Sequence, residues 1–120
     1  MAFDLYARET TTIAPKEIKL VPGNFIIETP PGYMLIVTPR SSLARKRGLT
    51  MPNSIGIIDN DYCGPEDQIS ILVQNFTDAP VTVERGERIA QGIFVKIDRV
   101  EWNESDEVAD HSRGGFGSTG

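Results

Sequence analysis

The chain has 120 residues, of which 39% are hydrophobic and 24% are charged, a composition typical of one globular domain. Its formal net charge of −5 argues against a general nucleic-acid-binding protein, which needs a basic surface. No apolar run reaches the ~20 residues of a membrane span and no signal peptide is visible, so we expect neither nucleic acid nor membrane as a partner. The single cysteine, Cys63, excludes an internal disulfide and favours the reducing cytoplasm.

Short apolar runs divided by eight prolines and eleven glycines predict an all-β sandwich or barrel. The predicted strands, in chain order, are residues 3–7, 18–21, 25–28, 33–38, 55–58, 69–74, 81–83 and 89–97. The nearly continuous apolar character of 33–38 predicts a strand that is covered on both faces. Residues 41–47 predict the one short helix, with serine caps at its start and Gly48 at its end. Residues 75–80 predict a turn.

The segment from Gly56 to Gly64 ends a predicted strand with Asp59, Asn60, Asp61 and Tyr62, and its composition predicts a tight hairpin. Tyrosine is unusual in a solvated turn because its ring is large and apolar. One interpretation is a ring-shaped ligand stacked on Tyr62 with Asp59 as a nearby base. The other is an Asp-rich turn with a partly buried tyrosine.

Three other segments also have two interpretations. The segment Pro39-Arg40-Ser41-Ser42 precedes the predicted helix, and it is either an anion site or a serine cap beside a surface arginine. The segment from Gly86 to Gln91 is either a ligand-contacting segment or a turn leading into a strand, which explains it without a ligand. Asn53 is either a turn residue or an amide that contacts a base.

The last part of the chain differs in composition from the rest. We expect residues 1–102 to form the β core, and residues 103–120 to form a linker and a C-terminal arm. The glycine-rich end is either a frayed tail or a segment that becomes ordered on binding, with Phe116 over a ring and hydroxyls around phosphates. No Cys/His cluster has the spacing of a metal site, and the lone His111 gives no sign of a Ser-His-Asp triad.

Taken together, five segments in order resemble the five motifs of the trimeric deoxyuridine triphosphatases (dUTP pyrophosphatases). They are Ala2-Phe3-Asp4-Leu5-Tyr6-Ala7, Pro39-Arg40-Ser41-Ser42-Leu43-Ala44, Gly56-Ile57-Ile58-Asp59-Asn60-Asp61-Tyr62-Cys63-Gly64, Gly86-Glu87-Arg88-Ile89-Ala90-Gln91 and Gly114-Gly115-Phe116-Gly117-Ser118-Thr119-Gly120. The resemblance runs the length of the chain.

The resemblance implies a distorted jelly-roll β fold (the β-clip of this family) with one short helix. It implies a homotrimer with three active sites between subunits, in which the exchanged C-terminal arm of one subunit closes over the site of another. The implied reaction is hydrolysis of dUTP to dUMP and pyrophosphate with Mg²⁺ on the triphosphate. This reaction limits uracil incorporation into DNA and supplies dUMP for thymidylate synthesis.

The resemblance also implies roles for individual residues. Asp59 corresponds to the general base that activates water. The implied base and sugar contacts are Asn53, Gly56, Tyr62 and Phe116, with Tyr62 under the deoxyribose, where it disfavours a 2′-hydroxyl. The implied phosphate contacts are Arg40, Ser41, Ser42, Gln91, Arg113, Gly117, Ser118 and Thr119. Asp4 corresponds to a structural, metal-supporting aspartate near the phosphates, and no residue is expected to bind the metal directly.

The chain departs from the family pattern at several places. The first motif begins at residue 2, so the strand that usually precedes it is either absent or truncated. The resemblance implies that the hairpin backbone after Asp59 recognises uracil, and residues 65–67 look like an insertion inside this hairpin. Ser42 replaces a common glycine. The usual arginine of the arm is replaced by His111, so we expect Arg113 to take its role, with His111 as the alternative.

The alternatives within this fold are a broader deoxynucleotide pyrophosphatase and a dCTP deaminase-like enzyme, although Leu72 stands where the deaminases carry their catalytic glutamate. The alternative of another class is a non-catalytic nucleotide-binding regulator, for which the water-activating Asp59 would be unnecessary.

Overall fold

Nine strands and one short helix make up the regular structure in the residues that the computed structural model describes, which are 1–107, 109–112 and 114. In chain order the elements are β1 (Phe3–Tyr6), β2 (Thr11–Ile13), β3 (Ile18–Pro22), β4 (Tyr33–Pro39), α1 (Leu43–Arg47), β5 (Leu49–Thr50), β6 (Gly56–Ile58), β7 (Ser70–Asn75), β8 (Val81–Val83) and β9 (Arg88–Lys96). The predicted all-β fold with one short helix is confirmed.

The strands form three small antiparallel sheets around one core, in the manner of a distorted jelly roll. The largest sheet has the order β1-β9-β4-β6, the second is β3-β7-β5, and the third is the pair β2-β8. The two long strands, β4 and β9, pair from Tyr33 opposite Lys96 to Pro39 opposite Ala90. This pair is the scaffold on which the candidate site residues are placed.

The core is filled by alternate side chains of the strands. Ile71 and Val73 of β7, with Ile69 just before it, are almost completely buried on one face, as the alternation predicts. Leu35 and Val37 of β4 meet them from the opposite sheet. Burial of each such side chain contributes about 1.5–3 kcal/mol relative to exposure.

The other face of β4 is only partly covered by the described residues of the single chain. Met34 and Ile36, which project from this face, are half-buried. The prediction of a strand covered on both faces is therefore wrong for one chain.

The helix is shorter than predicted, and it is capped differently. It begins at Leu43, and the side chain of Ser42 makes no capping hydrogen bond. Leu43 is buried and holds the helix on the core. The helix ends at Gly48 as predicted, because Gly48 adopts a left-handed conformation with φ of 64°, and its N–H donates to the carbonyl of Ala44.

One predicted strand does not form. Residues 25–28 alternate in burial, with Phe25 and Ile27 turned towards the core, but they pair with no strand. The N–H of Ile69 donates to the carbonyl of Phe25 at 3.0 Å, and no ladder continues from that bond. The following Pro30 and Pro31 lack the N–H groups that would extend one.

Asn75 was predicted as the start of a turn, but it is the last residue of β7 and is fully buried. Its Nδ2 donates to the carbonyls of Ile13, Ala14 and Ala79 at 3.1, 3.1 and 2.8 Å. Its Oδ1 accepts from the N–H and hydroxyl of Thr77. One side chain therefore joins the ends of β2 and β7 and the loop between β7 and β8.

The last strand ends at Lys96, and residues 98–107 are exposed and outside the sheets. Within the described part of the chain, no helix combines the length and apolar character that crossing a bilayer requires.

Candidate active site

Three strands of the largest sheet bring polar side chains into one row on its outer face. Asp4 of β1 pairs with Gln91 of β9, which pairs with Thr38 of β4. Directly paired residues of antiparallel strands project from the same face. The Nε2 of Gln91 also lies 3.4 Å from the Thr38 hydroxyl, to which it donates. The register thus joins segments that are distant in sequence.

Asp4 holds two arginines at the end of this row. Its Oδ1 lies 3.0 Å from Nε of Arg40, and its Oδ2 lies 3.2 Å from a terminal nitrogen of Arg88. The side chains of Asp4 and Arg40 are 28% and 31% exposed, so this pair contributes little to stability. Its consequence is geometric, because a carboxylate that uses both oxygens fixes the direction of both guanidinium groups.

Next to this cluster lies a cavity of about 380 Å³ between α1 and the turn before β9. Its lining is mostly cationic or polar and consists of Arg40, Ser42, Leu43, Lys46, Arg47, Gly86, Glu87 and Arg88. Arg47 pairs with Glu87 at 3.1 Å, which ties the helix to the turn. Ser41 is exposed and is not part of the lining in the described structure. A cavity with these donors is suited to an anion.

The segment after β6 does not form the predicted hairpin. β6 pairs only with β4 in the described structure, and β7 belongs to another sheet. Residues 59–68 instead form successive turns, with the N–H of Tyr62 donating to the carbonyl of Asp59 at 3.2 Å. The insertion adds its own turn, in which Asp67 accepts from the N–H of Gly64 at 2.7 Å. The Asp67 carboxylate stabilises the longer loop through this hydrogen bond, in place of the strand pairing that a hairpin would have.

Within this loop Asp59 and Tyr62 are both exposed. Tyr62 has 41% of its surface free, and its hydroxyl lies 3.4 Å from the carbonyl of Gln68. Asn60 fixes the start of the loop, since its Nδ2 lies 3.1–3.3 Å from the carbonyls of Thr29, Pro30 and Tyr33. The ring of Tyr62 is therefore available to a ligand.

Asn53 and Gly56 lie on the other side of β6 from Asp59. Asn53 is exposed, and its Nδ2 donates to the carbonyl of Ile55 at 2.9 Å, so it stabilises the turn that leads into β6. Gly56 begins β6 opposite Val37.

The cluster of Asp4, Arg40 and Arg88 and the loop that contains Asp59 lie at opposite ends of β4. Ile58 pairs with Leu35, and Asp59 follows it on the side away from Arg40. Leu35 and Arg40 are five residues apart, which corresponds to about 17 Å of strand. A single chain therefore does not bring Asp59 to Arg40.

The C-terminal residues to which binding roles were attributed lie outside the described residues. They are Arg113, Phe116, Gly117, Ser118 and Thr119. His111 is described and is exposed.

Comparison with known proteins places these features in one family. The profile of the dUTPase family matches residues 1–120. The chain belongs to the dUTPase family. It is 41% identical to a deoxyuridine 5′-triphosphate nucleotidohydrolase of Lactococcus lactis subsp. lactis over 98% of this chain and 80% of that protein.

Solved dUTPase structures share the fold. The dUTPase from Streptococcus mutans is 36% identical, with a TM-score of 0.80 over 84% of this chain and 81% of that one. The Staphylococcus bacteriophage 80alpha dUTPase with dUpNHpp is 26% identical, with a TM-score of 0.82 over 99% and 85% of the two chains.

The cavity of this dUTPase-family chain is also lined by residues to which the sequence gives no individual role, among them Arg88 and Lys46. Arg88 was treated as part of a turn, and only the pairing of β1 with β9 reveals its partner Asp4. Lys46 belongs to the basic segment with Arg40, Arg45 and Arg47, for which the sequence predicts local binding of an anionic ligand despite the negative net charge. Its spacing of four residues from Ser42 also places the two on one side of the helix. Among the described residues no group of three or more His, Cys, Asp or Glu is placed to hold a metal ion.

Proposed function

We propose that this protein hydrolyses dUTP to dUMP and pyrophosphate. The observation that carries the proposal is the sequence identity of 41–44% with four deoxyuridine 5′-triphosphate nucleotidohydrolases over 92–98% of the chain. The reaction would limit uracil incorporation into DNA and supply dUMP for thymidylate synthesis.

We assign the phosphates to the cationic cavity. Arg40 and Ser42 line it, Ser41 lies between them in the chain, and Gln91 pairs with Asp4, which binds Arg40. The bond that breaks joins the α- and β-phosphates, and the charge that develops on the pyrophosphate is stabilised by fixed donors. Asp4 acts by holding Arg40 and Arg88 in position before the substrate arrives.

We assign Asp59 as the general base. Its carboxylate is exposed at the end of β6, where it can accept a proton from a water molecule aligned with the scissile bond. Tyr62 would lie against the deoxyribose and disfavour a 2′-hydroxyl. Asn53, Gly56 and the backbone after Asp59 would contact uracil.

We assign the closing role to the C-terminal arm. In this proposal residues 103–120 carry Phe116 to the base, and Arg113, Gly117, Ser118 and Thr119 to the phosphates. His111 is the alternative to Arg113.

Mg²⁺ enters this proposal as part of the substrate. Both carboxylate oxygens of Asp4 already accept from guanidinium groups, so this side chain does not offer a free metal ligand. Mg²⁺ favours phosphate oxygens and water over an all-protein cage. Bound to the triphosphate, it offsets part of the negative charge.

The site is complete only if a second copy of the chain supplies Asp59 to the Arg40 of the first. The outer face of the largest sheet supports this arrangement. Ile36, Ile57 and Ile93 lie side by side on it, flanked by Met34 and Val95, and Ile57 is 59% exposed. This apolar face continues into the polar row of Asp4, Gln91 and Thr38 on the same sheet. An exposed apolar face of this kind is suited to contact with another subunit. We propose a homotrimer on this basis and by resemblance to the family.

Pyrophosphate release from dUTP with Mg²⁺, measured beside dCTP, dTTP and UTP, tests the function. Release from dUTP alone supports a dUTPase whose loop insertion leaves uracil selection intact. Release from several nucleotides would identify a broader pyrophosphatase, and ammonia release from dCTP a deaminase. Binding without turnover of any of them would identify a nucleotide-binding regulator. We propose the cytoplasm as the location, in agreement with the free thiol of Cys63.

A further inference from the structure

Lys46 lies in the cationic cavity on the same side of α1 as Ser42. The two residues are four positions apart, and residues at this spacing lie one above the other on a helix. The N–H of Lys46 donates to the carbonyl of Ser42 at 2.9 Å, which fixes this turn. Both side chains line the cavity together with Arg40 and Arg88. A phosphate that contacts Ser42 therefore lies within reach of the long Lys46 side chain.

The backbone that carries Lys46 is held at both ends. Leu43 is 3% exposed and anchors the start of the helix in the core. At its end the N–H of Gly48 donates to the carbonyl of Ala44 at 3.0 Å, and the carbonyl of Gly48 accepts from the N–H of Phe76 at 3.1 Å. A side chain at Gly48 would collide with Thr77, so this end is also closely packed. Only the side chain of Lys46 needs to move to meet a ligand.

The charges of the cavity give Lys46 a distinct role. Arg40 and Arg88 share the carboxylate of Asp4, and this group of three keeps one net positive charge. Arg47 and Glu87 neutralise each other. Lys46 has no ion-pair partner among the described residues, and it adds the second net positive charge. The two arginines held by Asp4 are fixed donors, whereas an ammonium group on a flexible stem can follow a moving phosphate.

We infer that the ammonium group of Lys46 binds the β- and γ-phosphates of dUTP, the part of the substrate that leaves as pyrophosphate. These two groups carry most of the negative charge of the triphosphate. dUMP lacks them, so Lys46 distinguishes the substrate from this product. The inference rests on the proposed function for its ligand, but it concerns a residue to which the resemblance gave no role.

The test compares Lys46→Gln with Arg45→Gln in the full chain. Arg45 is the neighbouring residue on the same helix, is exposed, and is absent from the described cavity lining, so it matches the loss of charge but not its position. Steady-state hydrolysis of dUTP is measured together with the affinities for dUpNHpp and dUMP by calorimetry. The melting temperature of each variant, at one protein concentration, shows that it folds.

We expect Lys46→Gln to weaken dUpNHpp binding and raise KM for dUTP by roughly ten-fold, as for the loss of one charged hydrogen bond. Its affinity for dUMP should stay unchanged, and Lys46→Arg should recover most of the dUpNHpp affinity. Arg45→Gln should change each value less than two-fold. Equal effects of Lys46→Gln and Arg45→Gln would overturn the inference, and so would an equal loss of dUpNHpp and dUMP affinity. If the unmodified protein does not turn over dUTP, the proposed function fails, while the two affinities still decide the role of Lys46.

Discussion

The carboxylate of Asp4 on β1 binds the guanidinium of Arg40 just beyond the end of β4, with 3.0 Å between Oδ1 and Nε. The two residues are brought together by β9, which pairs with both strands. The same carboxylate accepts from Arg88. Asp4 therefore adds a negative charge to an anion site, which weakens anion binding. Its contribution to function must come from the positioning of Arg40 and Arg88.

The substitution Asp4→Asn separates these two effects. It removes a negative charge beside the phosphates, which favours ground-state binding, but it loosens both arginines. Misplacement of a catalytic group by about 1 Å can cost on the order of 10²-fold in rate. We expect kcat for dUTP to fall at least about ten-fold while KM stays level or falls. Glu9→Gln, at an exposed residue shortly after β1, makes the same change in charge and should leave both values unaltered. A raised KM with normal kcat would contradict the positioning role.

Asp59→Asn removes the proposed general base while keeping nearly the same shape. We expect kcat to fall by about 10²–10⁴, the usual cost of losing a positioned base. The affinity for dUpNHpp should be retained, because the phosphate contacts lie elsewhere. Calorimetry and pyrophosphate release measure the two quantities, with Asp78→Asn, an exposed residue of another turn, as the control. Loss of binding together with activity would argue against Asp59 as the base.

The distance of about 17 Å along β4 predicts that two inactive variants complement each other. Arg40→Gln and Asp59→Asn should each be nearly inactive alone. When they are unfolded and refolded together, roughly one site in four should combine an intact Arg40 from one subunit with an intact Asp59 from another. Recovered activity, compared with each variant refolded alone, is the measurement. No recovery in mixed oligomers would show that each site lies within one chain.

Tyr62 offers a test of sugar selection. Its hydroxyl lies 3.4 Å from the carbonyl of Gln68, a long and weak hydrogen bond, so Tyr62→Phe should change kcat/KM for dUTP less than about three-fold. Tyr62→Ala removes the ring, and we expect the ratio of kcat/KM for dUTP over UTP to fall at least about ten-fold. An unchanged ratio in Tyr62→Ala would show that another group excludes the 2′-hydroxyl.

Local patterns predicted most of the strands and the end of the helix. Alternation identified the buried face of β7, and Gly48 marked the helix end, because both signals depend on neighbouring residues. The prediction of a strand at 25–28 is wrong because a strand also needs a pairing partner distant in sequence, which local alternation does not supply.

The candidate site was only partly visible in the sequence. Asp59 and Arg40 stand in recognisable motifs, but the pairing of Asp4 with Arg88 spans 84 positions and depends on strand register. The apolar character of β4 predicts cover on both faces, which the described part of one chain does not provide. The described residues leave Met34 and Ile36 half-buried, and our proposal is that another subunit covers them.

Asn75 is the residue whose importance to stability the sequence concealed. Its fully buried amide makes hydrogen bonds through both Nδ2 and Oδ1, and Asn75→Ala would leave the carbonyls of Ile13 and Ala79 without this partner. A buried polar group left unsatisfied costs about 1–3 kcal/mol, and more than one backbone carbonyl loses a hydrogen bond in this variant. We therefore expect the free energy of unfolding to fall by about 3 kcal/mol, measured by urea denaturation at one protein concentration, because oligomers unfold in a concentration-dependent way. Asn103→Ala, at an exposed position, should change it by less than about 0.5 kcal/mol. Equal stabilities of the two variants would mean that water replaces the amide of Asn75 without cost.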